Sequence, residues 1–330
     1  MRKLSTVNSL VKYSSFIDYN IPMLNYNSAS DLRAFLSMEG LGMQKKFGQN
    51  FLINPQIRQA LVDALGAEDG DEVWEIGPGL GAMTALLLEK GLKVKAFEID
   101  SGFIRVLKNM FSGVKNFELV EGDALKTWTS KEAAPFLLGN LPYNIAAALL
   151  ADFIVKGRIF SRMVVTVQKE VALRMAASAG SPDYSSFSVI CASVYKVKTL
   201  MTIRPSSFYP QPNVDSMGVL LEKREHDCAG NSAAKCEYPP CFYPLVRSLF
   251  ESRRKTLKNN LLTFLSSRSG SVNTKEKLKG ICDEVLAENA IDGKERAENL
   301  GFEAFLSLAK TIGNMRLLNS DVNCRKHSKD

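Results

Sequence analysis

Short apolar segments alternate with amphipathic ones along the middle of the chain. Residues 55–65 place apolar side chains on one helical face, and Asn54-Pro55 supplies a capping side chain followed by proline at the first helical position. Strands are then predicted at 73–76, 94–99, 117–120, 136–139 and 163–167. Helices are predicted between most of them, at 80–90, 103–111 and 145–155. This alternation is typical of a doubly wound parallel sheet covered by helices on both faces.

The pattern changes after the last of these strands. Segments 194–203 and 217–221 are predicted strands, and the proline-rich connection 204–216 shows no clear helix. They are expected to form an antiparallel pair that closes the sheet. The predicted organisation is an N-terminal extension that is partly flexible, an α/β domain, a polar linker and a basic helical domain with a polar tail, at 1–42, 43–225, 226–241 and 242–330.

Composition is that of an ordinary globular protein with a basic surface. The 330 residues are 45% hydrophobic and 23% charged, and the net charge of +7 corresponds to a pI near 9.0. This charge favours a polyanionic partner, although a mildly basic surface also serves solubility alone. Because no apolar run approaches the length of a membrane span, no membrane association is expected.

Histidine and cysteine usage argues against hydrolase and metal chemistry. The two histidines, His226 and His327, lie in polar stretches, which disfavours a triad or a zinc hydrolase. A zinc cage is conceivable from four side chains, His226, Cys228, Cys236 and Cys241. Since no Cys-x-x-Cys pair supports such a cage, the sequence predicts no metal site and reduced thiols.

The first residues leave two interpretations of the N-terminus. The segment 1–19 is rich in hydroxyl side chains, has three basic residues and contains one acid, Asp18. It loosely resembles a mitochondrial transit peptide but lacks the arginine density of one. We favour an extension of a cytoplasmic protein, with a mitochondrial location as the alternative.

Four polar motifs follow four successive predicted strands. The glycine-rich segment 75–81 has the spacing Gly-x-Gly-x-Gly and lets the backbone approach a ligand at Gly77. Glu98 ends the second strand, where an acid can hold the hydroxyls of a ribose, and Asp123 follows the third, where it can accept from an adenine amine. The order is typical of an S-adenosylmethionine-dependent methyltransferase.

The fourth motif is the tetrapeptide Asn140-Leu141-Pro142-Tyr143, directly after an apolar strand. It presents an amide, a rigid turn and an aromatic ring, which suit gripping the exocyclic amine of a base and stacking on its face. The same four residue types also form an ordinary turn. A nicotinamide dehydrogenase is the alternative for the glycine motif, but it would leave this tetrapeptide unexplained.

The whole set of motifs resembles the KsgA-type family of ribosomal RNA adenine-N6,N6-dimethyltransferases. The matching segments are FGQNFL at 47–52, EIGPGLG at 75–81, EID at 98–100, GD at 122–123, NLPYN at 140–144, QKEVALR at 168–174, SFYPQPNVDS at 207–216 and RRKTLKNNL at 253–261. The erythromycin-resistance methyltransferases are related, and Pro78 and Leu141 favour the housekeeping enzyme over them. The family implies a Rossmann-like seven-stranded methyltransferase domain and a small helical C-terminal domain.

Roles for individual residues follow from this resemblance. It implies that Asn50 and Leu52 contact the methionine part of S-adenosylmethionine, that Gly77 lines its pocket and that Asn140 lies beside the methyl group. It also implies that Tyr143 and Phe208 sandwich the target base. A basic helix is expected to contact RNA phosphates through Arg253, Arg254, Lys255 and Lys258, or to be an ordinary solvated face.

The implied activity is dimethylation of N6 on two adjacent adenines in a hairpin near the 3′ end of small-subunit ribosomal RNA. The implied partner is that RNA in a pre-ribosomal particle, contacted by a monomeric enzyme. Three alternatives stay open: a DNA adenine methyltransferase, a large-subunit RNA methyltransferase of the macrolide-resistance type, and an RNA-binding assembly or transcription factor.

Overall fold

A seven-stranded mixed sheet forms the centre of the protein. The computed structural model describes residues 24–42, 49–131, 134–225, 238–268 and 274–315. In spatial order the strands are β4 (Phe117–Glu121), β3 (Lys93–Glu98), β2 (Glu72–Ile76), β5 (Phe136–Asn140), β6 (Arg162–Gln168), β9 (Ser216–Lys223) and β7 (Tyr195–Ile203). The pairs from β4 to β6 are parallel, whereas β9 is antiparallel to both β6 and β7.

Helices cover both faces of this sheet and continue beyond it. Their bounds are α1 Ala29–Met38, α2 Pro55–Leu65, α3 Ala82–Glu89, α4 Ser101–Met110, α5 Ala124–Thr127, α6 Ala146–Val155, α7 Lys169–Ala176, α8 Ser186–Val194, α9 Phe242–Phe250, α10 Leu257–Ser266, α11 Lys275–Glu288 and α12 Phe302–Asn314. None of the described helices is both long and apolar enough to cross a membrane.

Strand β2 shows why the central strands read as continuous apolar runs. Trp74 and Ile76 pack into one buried cluster, while Val73, which precedes Trp74, packs into another on the opposite face. Successive side chains of a strand point to opposite faces, so a strand between two helical layers is mostly apolar along its length. The five parallel strands were predicted to within one residue at each end.

Helix α2 confirms the local signals at its ends. The Asn54 side chain accepts from the Ile57 amide at 3.1 Å, and Pro55 occupies the first turn. The helix ends at Gly66, whose φ of 63° lies in the left-handed region that glycine tolerates. Its bounds are those that the periodicity predicts.

The predicted antiparallel closure is present, with a helix ahead of it. Strand β7 begins at Tyr195, one residue after the predicted start, because Val194 ends helix α8. Strand β9 lies between β6 and β7, as the register Val165↔Val219 and Thr199↔Val219 shows. The parallel sheet therefore ends in an antiparallel pair.

A second, two-stranded sheet joins two distant motifs. Strand β1 (Phe51–Leu52) pairs antiparallel with β8 (Phe208–Tyr209), in the register Phe51↔Tyr209 and Leu52↔Phe208. The Ile53 amide extends this pairing by donating to the Ser207 carbonyl at 2.8 Å. The pairing fixes the proline-rich segment against the entry to α2.

Part of the predicted N-terminal extension packs on the domain. In the range 24–42, Ser28 caps α1, and Leu32 and Leu36 are buried against Leu80, Phe103 and Val106. Residues 1–23 lie outside the described part of the chain. The transit-peptide alternative falls on these residues.

The C-terminal helices share a core with the sheet. The largest buried cluster runs from Trp74 through α6 and α8 into α9–α12 without interruption. The Tyr184 hydroxyl links the two parts by donating to the Leu300 carbonyl at 3.0 Å. Of the predicted linker, the structure describes 238–241, where Cys241 is buried.

Three of the four side chains of the conceivable zinc cage, His226, Cys228 and Cys236, fall outside the described residues. Within the described ranges no group of three histidine, cysteine or acidic side chains could hold a metal ion.

Candidate active site

A cavity of about 290 Å³ opens at the carboxyl ends of β2, β3 and β5. Ligands of open α/β sheets bind at this edge. Seven of the residues singled out from the sequence line it: Asn50, Leu52, Gly77, Glu98, Asp123, Asn140 and Pro142. Leu141, Tyr143 and Phe208 are not among its lining residues, and the basic residues 253–255 and 258 lie in the helical domain.

The glycine-rich turn between β2 and α3 forms the floor of the cavity. Gly77 and Gly79 have φ values of 70° and 58°, in the region where a side chain would be strained. A Cβ at Gly79 would also lie 3.0 Å from a carbon of the Phe51 ring. Glycine therefore allows both the turn and its close contact with β1.

Glu98 is fixed in place by three backbone amides. Its Oε2 accepts from Gly79 at 3.1 Å, and its Oε1 accepts from Ile99 and Asp100 at 2.9 Å each. The side chain is only 6% exposed, and this burial raises the pKa of Glu98 to about 7. The carboxylate thus sits at the cavity wall, held by the backbone, and its pKa lies close to neutral pH.

A second acid, Glu75, lies behind the turn. It is 1% exposed, and its Oε2 accepts from the Thr84 hydroxyl at 2.6 Å. Among the described residues its Oε1 has no hydrogen-bond partner. Burial, together with the nearby Glu98 charge, raises the pKa of Glu75 to about 7. The sequence assigns Glu75 no role beyond the glycine motif. Its position within an apolar strand was the signal that could have marked it as a buried acid.

Asp123 lies at the start of the short helix α5. Its Oδ1 accepts from the Leu125 amide at 3.0 Å, which caps the helix. Within the described chain its Oδ2 receives no hydrogen bond, so one oxygen stays available at the cavity. The exposed Ile99 lines the same cavity and was not assigned a role from sequence.

The tetrapeptide begins with the last residue of β5. The Asn140 amide nitrogen donates to the Asn50 carbonyl at 2.7 Å, and within the described residues its Oδ1 receives no hydrogen bond. The Leu141 amide donates to the Thr166 carbonyl at 3.0 Å, and the Leu141 side chain is buried. Asn140 is thereby oriented, and its acceptor oxygen has no donor among the residues that the structure describes.

The two predicted stacking residues differ in accessibility. Tyr143 is half-buried, and its hydroxyl is 2.5 Å from the Ser216 hydroxyl at the start of β9. Phe208 is 1% exposed and packs with Leu52 and Ile203 in the second buried cluster. The β1–β8 register turns Leu52 and Phe208 into the core together. In this conformation Phe208 offers no free ring face for a base.

The predicted basic helix is wrong in its first three residues. Arg253, Arg254 and Lys255 lie in the turn between α9 and α10, because Thr256 caps α10, which begins at Leu257. Lys258 lies in the first turn of α10. The cluster is therefore presented by a turn and a helix start.

Two of these four cations already have acidic partners. Arg253 donates to Glu298 at 2.8 Å, and Lys258 forms an ion pair with Asp283. Arg254 and Lys255 are exposed and form no ion pair within the described residues. They are the members of the cluster with charge free for a partner.

Comparison with known proteins identifies the family. Residues 40–300 match the family described as ribosomal RNA adenine dimethylase. The chain belongs to this family. A relative from Treponema pallidum (strain Nichols), named Ribosomal RNA small subunit methyltransferase A, is 42% identical over 292 residues, covering 87% of this chain and 97% of that protein. The protein of that name from Bacillus pumilus (strain SAFR-032) is 34% identical over 299 residues, covering 88% and 98%.

Solved structures agree with the dimethylase assignment. A dimethyladenosine transferase from Plasmodium falciparum is 30% identical, with a TM-score of 0.64 over 77% of this chain and 94% of that one. The 23S rRNA methyltransferase ErmE, at 19% identity, has a TM-score of 0.55 over 79% and 98% and shows the fold alone. The predicted family, methyltransferase fold and enzyme class are confirmed, and the dehydrogenase alternative is not supported.

Proposed function

We propose that this protein transfers methyl groups from S-adenosylmethionine to N6 of adenine in small-subunit ribosomal RNA, twice on each of two adjacent adenines. The observation that carries the proposal is Asn140, which is held by Asn50 at the end of β5 and whose Oδ1 accepts from no donor in the described part of the chain. Relatives at 34–42% identity over most of both chains are named as small-subunit RNA methyltransferases.

The donor set of the cavity fits S-adenosylmethionine. Glu98 would accept from the ribose hydroxyls, and Asp123 Oδ2 from the adenine amine, in a cavity that the side chain of Ile99 also lines. The turn at Gly77 leaves room along the backbone, and Asn50 and Leu52 would hold the methionine part. When bound, the cofactor supplies an electrophilic methyl group on a positively charged sulfur.

Asn140 would prepare the nucleophile. The lone pair of adenine N6 is delocalised into the ring, so the nitrogen must become more tetrahedral before it attacks. Asn140 Oδ1 and the Leu141 carbonyl can accept from the amine hydrogens and direct the lone pair outwards. Correct positioning of reacting groups accounts for several kcal/mol of a reaction barrier. A strong base is unnecessary, because the methylated nitrogen loses its proton readily to water.

The target base must leave its stack before it reaches this site. Tyr143, anchored through Ser216, ends the tetrapeptide that begins with Asn140 and would stack on the extruded adenine. A role for Phe208 as the second stacking ring requires that its side chain leave the core. Arg254 and Lys255 would contact RNA phosphates. A monomer acting on a pre-ribosomal particle in the cytoplasm completes the proposal.

Methylation of isolated subunits tests this function. Small subunits from cells that lack the gene would be incubated with the protein and S-adenosylmethionine carrying a labelled methyl group. Nucleoside mass spectrometry should then detect labelled N6,N6-dimethyladenosine, and Asn140→Ala should not produce it. Large subunits and adenine-containing DNA serve as parallel substrates. Product confined to either of them, or absent from all three, would overturn the proposal.

A further inference from the structure

The N-terminal segment 24–42, here called the N-terminal strap, contributes to the cavity wall. Tyr26 and Leu32 line the cavity together with the residues of the glycine-rich turn. The Tyr26 hydroxyl donates to the Leu80 carbonyl at 2.9 Å, within that turn. Burial raises the pKa of Tyr26, so the phenol stays a neutral donor. The strap therefore touches the part of the backbone that shapes the ligand site.

Arg58 fastens the strap next to β1. This arginine is 5% exposed, and its Nη1 donates to the Leu52 carbonyl at 2.6 Å and to the Tyr26 carbonyl at 3.3 Å. Its Nη2 donates to Asn27 Oδ1 at 2.5 Å. One buried guanidinium thus joins Tyr26 to Leu52.

The other end of the strap is attached to β8 and to α4. Arg33 donates to the Tyr209 hydroxyl at 3.2 Å and lies over the Tyr209 ring, 5.7 Å from its centroid. Glu39 forms an ion pair with Arg105 at 3.5 Å. With Leu32 and Leu36 buried beneath it, the strap is held along its length, so the position of Tyr26 is set by more than one contact.

We propose that the N-terminal strap completes the cofactor site and that Tyr26 contacts the amino-acid part of bound S-adenosylmethionine. The contacts of Tyr26 go to Leu80 and, through Arg58, to Leu52, which the proposed function assigns to the methionine part, whereas it assigns Asp123, after β4, to the adenine. This inference rests on the proposed use of S-adenosylmethionine in the cavity. The family match begins at residue 40, after Tyr26 and most of the strap.

Two ligands that differ only in the amino-acid part test the inference. S-adenosylhomocysteine carries that part, and 5′-methylthioadenosine lacks it. Calorimetry on the full chain should show that Tyr26→Ala weakens S-adenosylhomocysteine binding about tenfold, because an aromatic wall is lost. Binding of 5′-methylthioadenosine should change by less than about twofold. Tyr26→Phe, which loses one hydrogen bond, should weaken the first ligand by about threefold.

Controls separate this inference from the proposed function. Met38 is 77% exposed at the end of α1 in the same strap, and Met38→Ala should leave both affinities unchanged. Glu98→Ala should weaken both ligands alike. Equal losses for both ligands with Tyr26→Ala, or no loss in a variant with the parent's melting temperature, would overturn the role of Tyr26. If Tyr26→Ala does not fold, Tyr26→Phe and Tyr26→Leu decide by the same comparison. A parent protein that binds neither ligand would instead refute the proposed function.

Discussion

The Asn140 side-chain amide donates to the Asn50 carbonyl across 2.7 Å, joining residues 90 positions apart. The bond orients the side chain, because the nitrogen donates to Asn50. In the proposed mechanism the oxygen accepts from the substrate. Asn140→Ala should lower the rate of methyl transfer at least about 100-fold, the scale of a misplaced reacting group. Single-turnover kinetics at saturating RNA and cofactor measures this step.

Asn140→Asp provides the matched comparison. It keeps an acceptor oxygen but removes the donor to Asn50, so the carboxylate faces a carbonyl oxygen and loses its orientation. We expect a rate between those of the parent and Asn140→Ala. Near-parent transfer by Asn140→Ala would refute the mechanism while leaving the family assignment intact.

Cofactor affinity should depend on pH through Glu98. Burial raises the pKa of this carboxyl to about 7, and in the proposed site ribose hydroxyls would donate to its ionised form. Protonation would therefore compete with binding at low pH, and affinity for S-adenosylhomocysteine should fall about fivefold from pH 7 to pH 6 and level off above pH 8. Calorimetry across this range is the measurement.

Two variants test whether Glu98 is the group responsible for this pH dependence of cofactor affinity. Glu98→Gln should bind weakly with a flat profile, whereas Glu75→Gln should keep the slope because Glu75 lies behind the turn. A Glu98→Gln protein with the parent's slope would remove Glu98 from the titration.

Glu75 should contribute to the pH dependence of stability. Its folded-state pKa of about 7 lies above the ordinary value of 4.5, so its contribution to stability is fully present below pH 4.5 and is lost as pH rises to about 7. Glu75→Gln removes this loss. Relative to the parent, the variant should gain about 3 kcal/mol of unfolding free energy between pH 4.5 and pH 8. Urea unfolding at both values measures it; a difference independent of pH would show that the pKa of Glu75 is the same in the folded and unfolded protein, against the raised value.

Strong periodicity made the central fold predictable from sequence. Strands such as β2 are buried on both faces, so their apolar runs and flanking glycines mark them without tertiary information. The pairing of β1 with β8 was not predictable, because two-residue strands carry no period and the partners Phe51 and Tyr209 lie 158 residues apart in the chain. Its consequence, the burial of Phe208, was missed for the same reason.

The strap was missed although it carries a signal. Ser28 caps α1, and Leu32 and Leu36 repeat at helical spacing, which is the pattern of a short amphipathic helix. Motif residues of the cavity were found because strand ends converge at one sheet edge. Tyr26 and Arg58 reach that cavity from other directions, so only the folded backbone identifies them.

Phe208 should behave as a core residue. At 1% exposure, Phe208→Ala should cost about 3–5 kcal/mol of unfolding free energy, the usual effect of removing a buried aromatic ring. Tyr143 is half-buried, so Tyr143→Ala should affect RNA turnover more than stability. Chemical unfolding and turnover of both variants separate the roles. A Phe208→Ala protein with parental stability but impaired RNA turnover would restore the predicted base sandwich.

The basic cluster should divide into two functional pairs. Arg253 and Lys258 are engaged by Glu298 and Asp283, whereas Arg254 and Lys255 have no acidic partner within the described residues. Each phosphate contact contributes a slope of about −0.7 to −0.9 to the dependence of log affinity on log salt. The double variant Arg254→Gln, Lys255→Gln should therefore flatten the slope for small-subunit RNA by up to about 2.

The matched double variant Arg253→Gln, Lys258→Gln should change this slope less and lower thermal stability instead, because it breaks contacts of the helical domain. Filter binding from low to moderate salt measures both slopes, and equal slopes for the parent and the first variant would exclude this turn from the RNA interface.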